Sequence, residues 1–309
     1  MKSPHISVCI ATYRRPERLG QVLHDLANQT LKPSQIVVVD NDAEQSAEAV
    51  VNAFGQNMAL CQPPIRVVYG VQPERNISIT RNRTVELATG DWLAFVDDDE
   101  RAPANWLEQL FALALSAQVD GVLGPVIPEL PAHAPDWIQR GDFYSYTRFA
   151  TGQDVPLPYL RFGNVLLRGA PVRALPGPFD PAFRLSTGED ADMLIRLIGQ
   201  GSRVIWHDQA FVTEPVEPTR MTFNWLLKRA YSGGQEFARK TLSGSYGPVS
   251  ARQRWALAAN AVGKGCLALL LAAVSVPMGK HKVAHWLIRA KANQGKLSAF
   301  RGTRFQEYR

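Results

Sequence analysis

The chain has 309 residues, 46% of them apolar and 20% charged, a balance that allows a large buried core and excludes a mainly disordered protein. Three cysteines, Cys9, Cys61 and Cys266, are far apart and odd in number, so they fit neither a disulfide framework nor a cysteine metal site and point to a reducing compartment. The net charge of +6 is unevenly spread: residues 1–227 hold 19 Lys/Arg against 26 Asp/Glu, a net of −7, and residues 228–309 hold 15 against two, a net of +13.

In chain order, Lys2 and about six apolar-leaning residues are too short for a signal-peptide core. Ile6 to Ala11 reads as a strand, and Pro16 opens a helix with Leu19, Val22, Leu23 and Leu26 on one face. Ile36 to Val39 is a second strand, ending in Asp40-Asn41-Asp42. A helix around Ser46 to Phe54, a strand at Ile65 to Tyr69 and a helix from Asn76 to Thr89, stopped by Gly90, continue the alternation expected of a parallel sheet with crossovers. Neither G-x-G-x-x-G nor a Walker lysine loop follows the first strand.

Residues 92 to 100, Trp-Leu-Ala-Phe-Val-Asp-Asp-Asp-Glu, form an apolar strand running into four acids. Ligands of open α/β sheets bind beyond such strand ends. Carboxylates clustered there repel one another unless neutralised, and their hard oxygens suit Mg²⁺ or Mn²⁺ shared with substrate phosphates. A solvated acidic turn capping the next helix is the plainer reading. A helix over Trp106 to Ala117, a strand over Gly121 to Ile127, and a Pro-rich aromatic stretch over Pro128 to Tyr159, read as loops and short helices over a cleft, come next. Then follow a strand over Phe162 to Arg168, a helix opened by Glu189-Asp190, and strands at Arg203 to Trp206 and Ala210 to Thr213. The last 80 residues read as helical, broken at Gly233-Gly234 and at a Ser243 to Ser250 linker. The apolar segment 265–279 is short for a spanning helix, so interfacial insertion beside Trp255, Trp286 and the basic residues suits it better.

The ordered set Thr12-Tyr13-Arg14, Asp40, Asp97-Asp98-Asp99 and Glu189-Asp190 resembles the family 2 glycosyltransferases of the GT-A fold over residues 5 to about 240. Residues 214–234 look like the bacterial exopolysaccharide, succinoglycan-type branch. The resemblance implies an α/β, Rossmann-like, mostly parallel central sheet flanked by helices. It implies a catalytic domain over 1–227 (nucleotide-binding half 1–100, acceptor half 101–227) and a basic, helical, membrane-associating region over 228–309. By position it puts Thr12, Tyr13, Arg14, Asp40, Arg81, Asp97 and Asp98 on the nucleotide-sugar, and Asp97 and Asp99 on Mg²⁺ or Mn²⁺. Asp190 becomes the general base. Glu189, Arg220, Trp225 and Arg229 fall to the acceptor or a diphosphate. Many relatives hold a histidine where this chain has Glu214, which then stands as third metal ligand; His207 lies a strand earlier.

The implied activity is inverting transfer of a hexose, most plausibly from a UDP-sugar, to a lipid-linked oligosaccharide at the cytoplasmic face of a bacterial inner membrane. The partners are then the sugar nucleotide, the lipid-linked acceptor and an anionic membrane surface met by 228–309, with no nucleic acid. The alternatives are a Mg²⁺-dependent phosphotransferase or hydrolase, which wants an aspartate where Thr12 stands, and a non-catalytic sugar-nucleotide or polysaccharide-binding protein.

Overall fold

The computed structural model describes residues 5–183 and 188–301; the end of the basic region, 302–309, lies outside the described residues. The chain divides into two compact units: Met1–Ile127, Tyr146–Leu185 and Glu189–Glu214 form the first, and Pro128–Ser145, Ser186–Gly188 and Pro215–Arg309 the second.

The first unit begins with four β/α pairs and a fifth strand: β1 (Ile6–Thr12), α1 (Pro16–Ala27), β2 (Gln35–Asp40), α2 (Glu48–Ala59), β3 (Arg66–Val71), α3 (Ile77–Leu87), β4 (Trp92–Phe95), α4 (Trp106–Ser116) and β5 (Gly121–Leu123). After β6 (Val126–Glu129), and after a short α5 (Asp136–Gln139) that belongs to the second unit, come β7 (Val165–Arg168), α6 (Gly169–Ala174), α7 (Glu189–Gly199), β8 (Val204–Trp206) and β9 (Val212–Pro215). The main sheet has the order β3-β2-β1-β4-β7-β5-β8, and β6 and β9 pair separately. β1 is parallel to β2 and β4, β2 to β3, and β5 to β8; β7 alone runs antiparallel, against β4 and β5.

Alternation along these strands feeds two cores. Ile6, Val8 and Ile10 of β1 pack with Leu19, Leu23, Trp106 and Leu110 from α1 and α4. Cys9, with Val37, Val39, Leu93 and Phe95, packs against Val85, Met193, Leu194 and Leu197 from α3 and α7. Helices thus cover both faces, and burial on both faces is why the strands read as near-continuous apolar runs. The chain leaves β1 toward β2 and β3, then returns to β4 on the other side of β1. That reversal opens a crevice at the carboxyl ends of β1 and β4.

Two details differ from the expected elements. The apolar run from Gly121 breaks at Gly124-Pro125 into β5 and β6, since Pro125 has no N–H to donate to the ladder; a Cβ at 124 would collide with the Ala210 carbonyl and the Asn164 amide. β7 starts at Val165 rather than Phe162, since Gly163 has φ +100°, outside any strand conformation.

In the second unit, α8 (Phe223–Leu242), α9 (Ala251–Val274) and α10 (Lys280–Ala299) pack together, α10 against both others. Near them Ala134, Ile138, Val216, Met221 and Leu226 form a small core edged by Trp137, Phe143, Tyr144 and Trp225. Gly233-Gly234 does not interrupt α8. A Cβ on Gly234 would collide with the Ala292 backbone, and one on Gly295 with the Tyr231 carbonyl, so both glycines are close-approach points between α8 and α10. Helix α9 begins at a capping box of Ser250 and Gln253. The segment 265–279 is not one helix: α9 stops at Val274 and Val276–Met278 is a 3₁₀ turn, as Pro277 has no N–H with which to continue the α-helical ladder. Helix α9 is long and apolar enough to cross a membrane, and little of its apolar stretch is buried. Trp255, Leu267, Leu269, Leu270 and Val274 on α9 are exposed.

The glycine pair gives a stability test. A Cβ on Gly233 meets nothing within 4 Å, so Gly233→Ala should stabilise α8 by up to about 1 kcal/mol through helix propensity. Gly234→Ala should instead cost about 1–3 kcal/mol by forcing α8 from α10. Thermal or denaturant unfolding of the two variants reads the opposite signs.

Candidate active site at the sheet switch point

β1 and β4 deliver the acidic run to the crevice. Arg14 takes a left-handed conformation (φ +53°) that ends β1, an uncommon cost for a non-glycine residue. Arg15 follows, and its Nη1 donates to Asp98 Oδ1 at 3.0 Å and to Asp99 Oδ2 at 2.8 Å. Thr12 donates from Oγ1 to Asp98 Oδ2 at 2.7 Å, and Arg18 Nη1 lies 3.8 Å from Asp99. Asp98 is thereby buried and doubly held; burial pushes its pKa up to about 6 against the pull of Arg15 and Thr12. Asp97 differs, with a side chain 48% exposed. Partial desolvation raises its pKa first, Arg81 draws it back, and Asp99 and Asp190 add repulsion.

Glu100 closes the turn: its Oε2 accepts from the Asp97 amide at 2.8 Å. Burial, then the charges of Asp97, Glu214 and Asp99, hold its carboxyl well above the usual range. Gly163 lies against this pair, and a Cβ there would stand 2.6 Å from Glu100 Oε1 and 3.3 Å from Asp97 Oδ2. The next residue, buried Asn164, donates to the Pro125 and Ala210 carbonyls and accepts from Trp106 Nε1 at 2.8 Å.

Arg81, on α3, joins the acidic run to the start of α7. Its Nη1 donates to Glu189 Oε1 at 2.8 Å and its Nη2 to Asp97 Oδ1 at 3.3 Å. The guanidinium carbon lies 4.9 Å from the Phe162 ring centroid and 5.8 Å from that of Phe179. Burial alone lowers the pKa of such a group, but Glu189, Asp97 and Asp190 outweigh it and Arg81 is held above its ordinary value. Asp190, in the first turn of α7, is half-buried, and its Oδ1 accepts from the Ala191 amide at 2.7 Å. Asn82 fixes α3 to the segment before α7, donating to the Phe179 carbonyl at 2.7 Å and accepting from its amide at 2.9 Å.

At the end of β2, Asp40 is fully buried: Oδ1 accepts from the Asp42 amide, and Oδ2 from the Ala47 amide at 2.8 Å and the Tyr69 hydroxyl at 3.0 Å. The carboxylate expected on a nucleotide base therefore ties down the loop after β2, its oxygens engaged inside the protein. That loop presents Asp42, which pairs with Arg14 at 3.0 Å. Tyr13 is half-buried, with the Arg75 guanidinium 4.7 Å and that of Arg14 5.4 Å from its ring centroid.

Thr12, Arg81, Asp97, Asp98, Asp99, Glu189 and Asp190 are thus gathered by hydrogen bonds, ion pairs and mutual charge, and Glu214 is near enough to raise Glu100 electrostatically. Among the described residues, no three acidic, imidazole or thiol groups converge with the spacing of a closed metal site. His207 takes a local role, its Nδ1 accepting from the Gln209 amide. Arg220, Trp225 and Arg229 belong to the second unit; there the Arg220 guanidinium lies 6.0 Å from the Trp225 ring centroid, and Tyr144 donates to the Arg220 carbonyl. Sequence reasoning missed Arg15, Arg75 and Glu100 as site residues. Arg15 and Glu100 each adjoin a recognised motif; nothing in the sequence singled out Arg75.

Comparison with known proteins agrees with this geometry. Residues 7–164 match the glycosyl transferase family 2 description. The succinoglycan biosynthesis protein ExoM of Rhizobium meliloti (strain 1021) is 33% identical over 301 residues, 96% of this chain and 93% of that protein. Among solved structures, the mannosyltransferase PcManGT from Pyrobaculum calidifontis, in complex with GDP-Man and Mn²⁺, superposes with a TM-score of 0.64 at 17% identity, covering 96% of this chain and 88% of that one. TarS 1-349 of S. aureus, in complex with UDP, gives a TM-score of 0.55 at 16% identity over 97% and 92% of the two chains. The switch-point sheet is that of the GT-A fold, and the chain belongs to glycosyl transferase family 2.

Proposed function

We propose that this transferase moves a hexose with inversion from a UDP-sugar to a lipid-linked oligosaccharide in surface polysaccharide synthesis, at the cytoplasmic face of a bacterial inner membrane. One observation carries the reading: a buried guanidinium, Arg81, binds Asp97 at the strand end and Glu189 at the start of α7 together. That pairing brings the acidic edge, which this reading assigns to the diphosphate, beside a helix whose second residue, Asp190, is a carboxylate.

In this scheme the Asp190 carboxylate takes the proton of an acceptor hydroxyl as its oxygen attacks the anomeric carbon. The bond from that carbon to the β-phosphate oxygen breaks, and its electron pair leaves with UDP. Tyr13 offers an aromatic face to the base, Asp40 and Asp42 hold the loop beside it, and Thr12, Arg14 and Asp98 line the nucleotide. Glu189 keeps Arg81 oriented. Arg220, Trp225 and Arg229 are assigned to the acceptor.

The donor set suits a divalent cation. Asp97 offers a half-exposed hard oxygen, and its pKa is raised first by desolvation and further by Asp99 and Asp190, against the pull of Arg81. Asp99 and Glu214 are the further candidates, and an ion held by one or two carboxylates and completed by diphosphate oxygens is the usual manner of Mg²⁺. Bound there, Mg²⁺ or Mn²⁺ would neutralise the departing diphosphate. The apolar face of α9, with exposed Arg252, Lys264 and Lys282, suits shallow insertion into an anionic leaflet.

Asp190→Asn should cut turnover by about 10²–10⁴-fold, with UDP–Mn²⁺ affinity by calorimetry left within about twofold; equal loss of both would make Asp190 structural. EDTA should abolish release of UDP and added Mn²⁺ restore it, whereas chelator-insensitive turnover removes the metal from the scheme. Changing Arg252, Lys264 and Lys282 together to Gln should weaken binding to anionic phospholipid vesicles roughly a hundredfold, at about 1 kcal/mol per charge, and unchanged sedimentation with vesicles would end the membrane assignment.

A further inference from the structure

Helix α8 carries an ion pair, between a buried lysine and a partly buried glutamate, that the reaction scheme does not use. Lys240 is 8% exposed; its Nζ lies 2.8 Å from Glu236 Oε1, one helical turn earlier, and donates to the Gly188 carbonyl at 3.1 Å. Gly188 has φ +111°, a backbone conformation that side-chain-bearing residues rarely adopt. The position its Cβ would take is occupied by the Glu236 carboxylate. Both members of the pair therefore close on one residue, the carboxylate against its α-carbon and the ammonium on its carbonyl.

A buried ion pair is weak evidence for stability, because desolvation of both charges offsets their attraction, and an apolar pair of like volume is often as stable. Its placement suggests another use. Gly188 directly precedes Glu189 and Asp190, and having no side chain it cannot cap α7 as Ser, Thr, Asp or Asn would. The peptide joining Gly188 to Glu189 sets the direction from which the first turn of α7 starts, and with it where Glu189 meets Arg81 and where the Asp190 carboxylate stands. With the Gly188 carbonyl hydrogen-bonded by a charged donor, this peptide plane has one orientation.

We infer that Lys240, braced by Glu236 and acting through the Gly188 carbonyl, is a positioning residue for the Asp190 carboxylate. The inference rests on the reading of Asp190 as general base. Loss of the Lys240 donor frees the peptide to rotate, and misplacement of a reacting group by about 1 Å costs on the order of 10²-fold in rate. The nucleotide side, built on β1, β2 and β4, does not depend on it.

The test uses the full chain, with turnover read as UDP release from the UDP-sugar that the unmodified protein consumes, and binding read by calorimetry with UDP and Mn²⁺. Lys240→Met, which keeps the stem and removes the donor, should lower kcat by about 10–100-fold while donor KM and UDP affinity stay near their original values; Tm falls, because one partner of a desolvated ion pair is removed. Lys240→Arg, which restores a cationic donor, should recover most of the lost kcat. Gly188→Ala, which displaces the Glu236 carboxylate, should reproduce the kcat loss and decides the matter if Lys240→Met does not fold. Unchanged kcat in Lys240→Met or in Gly188→Ala overturns the inference, as does a parallel fall of kcat and UDP affinity, the mark of a merely structural pair. Asp190→Asn run alongside separates the two levels. If it keeps full turnover, the general-base reading falls and this inference with it; if it is inactive while Lys240→Met is fully active, only the role of Lys240 fails.

Discussion

Everything at this site follows from placing carboxylates where water is scarce. Asp97, Asp98, Asp99 and Glu100 are delivered together by the end of β4, and three of the four are buried. Ions so placed persist only with counter-charge and hydrogen bonds. The protein answers with two arginines of different kinds: Arg15, reached through a left-handed Arg14, takes Asp98 and Asp99; Arg81, near the Phe162 and Phe179 rings, takes Asp97 and Glu189. Asp97 is left half-exposed and pressed upward in pKa. It is the member of the run best placed to meet a cation or a diphosphate.

The scaffold beneath is correspondingly rigid. Asn164 links three chain segments through Pro125, Ala210 and Trp106, and Asn82 does the same between α3 and the Phe179 segment. Each is a side-chain amide satisfied at both ends, a network that specifies one arrangement because a half-made version leaves polar groups buried and unpaired. Glycines 124 and 163 leave room for these amides and carboxylates, since any side chain there collides with them.

Much of this was legible in the sequence. Apolar runs at β1, β2 and β4, and the i, i+3, i+4, i+7 face of α1, announced a sheet covered on both sides, and the acids after Val96 marked the working edge. Other parts were not, for physical reasons. A carboxylate after a strand reads alike whether it faces a ligand or, like Asp40, turns inward to two amides and a hydroxyl. Gly233-Gly234 reads as a helix break, yet Gly234 is there because another helix passes close to it. The partnership of Arg15 with Asp98 and Asp99 depends on the backbone twist at Arg14, and no local pattern encodes pairing across 83 positions of chain.

The Arg81 guanidinium also sets how the site answers to acidity. A guanidinium of this kind keeps its proton through the whole physiological range, and its carboxylate neighbours raise its pKa further. Titration inside this knot of charges therefore belongs to the acids alone. Acidification subtracts negative charge from around a permanent cation, so the local field swings toward positive as pH falls, repelling a metal ion while still attracting a phosphate.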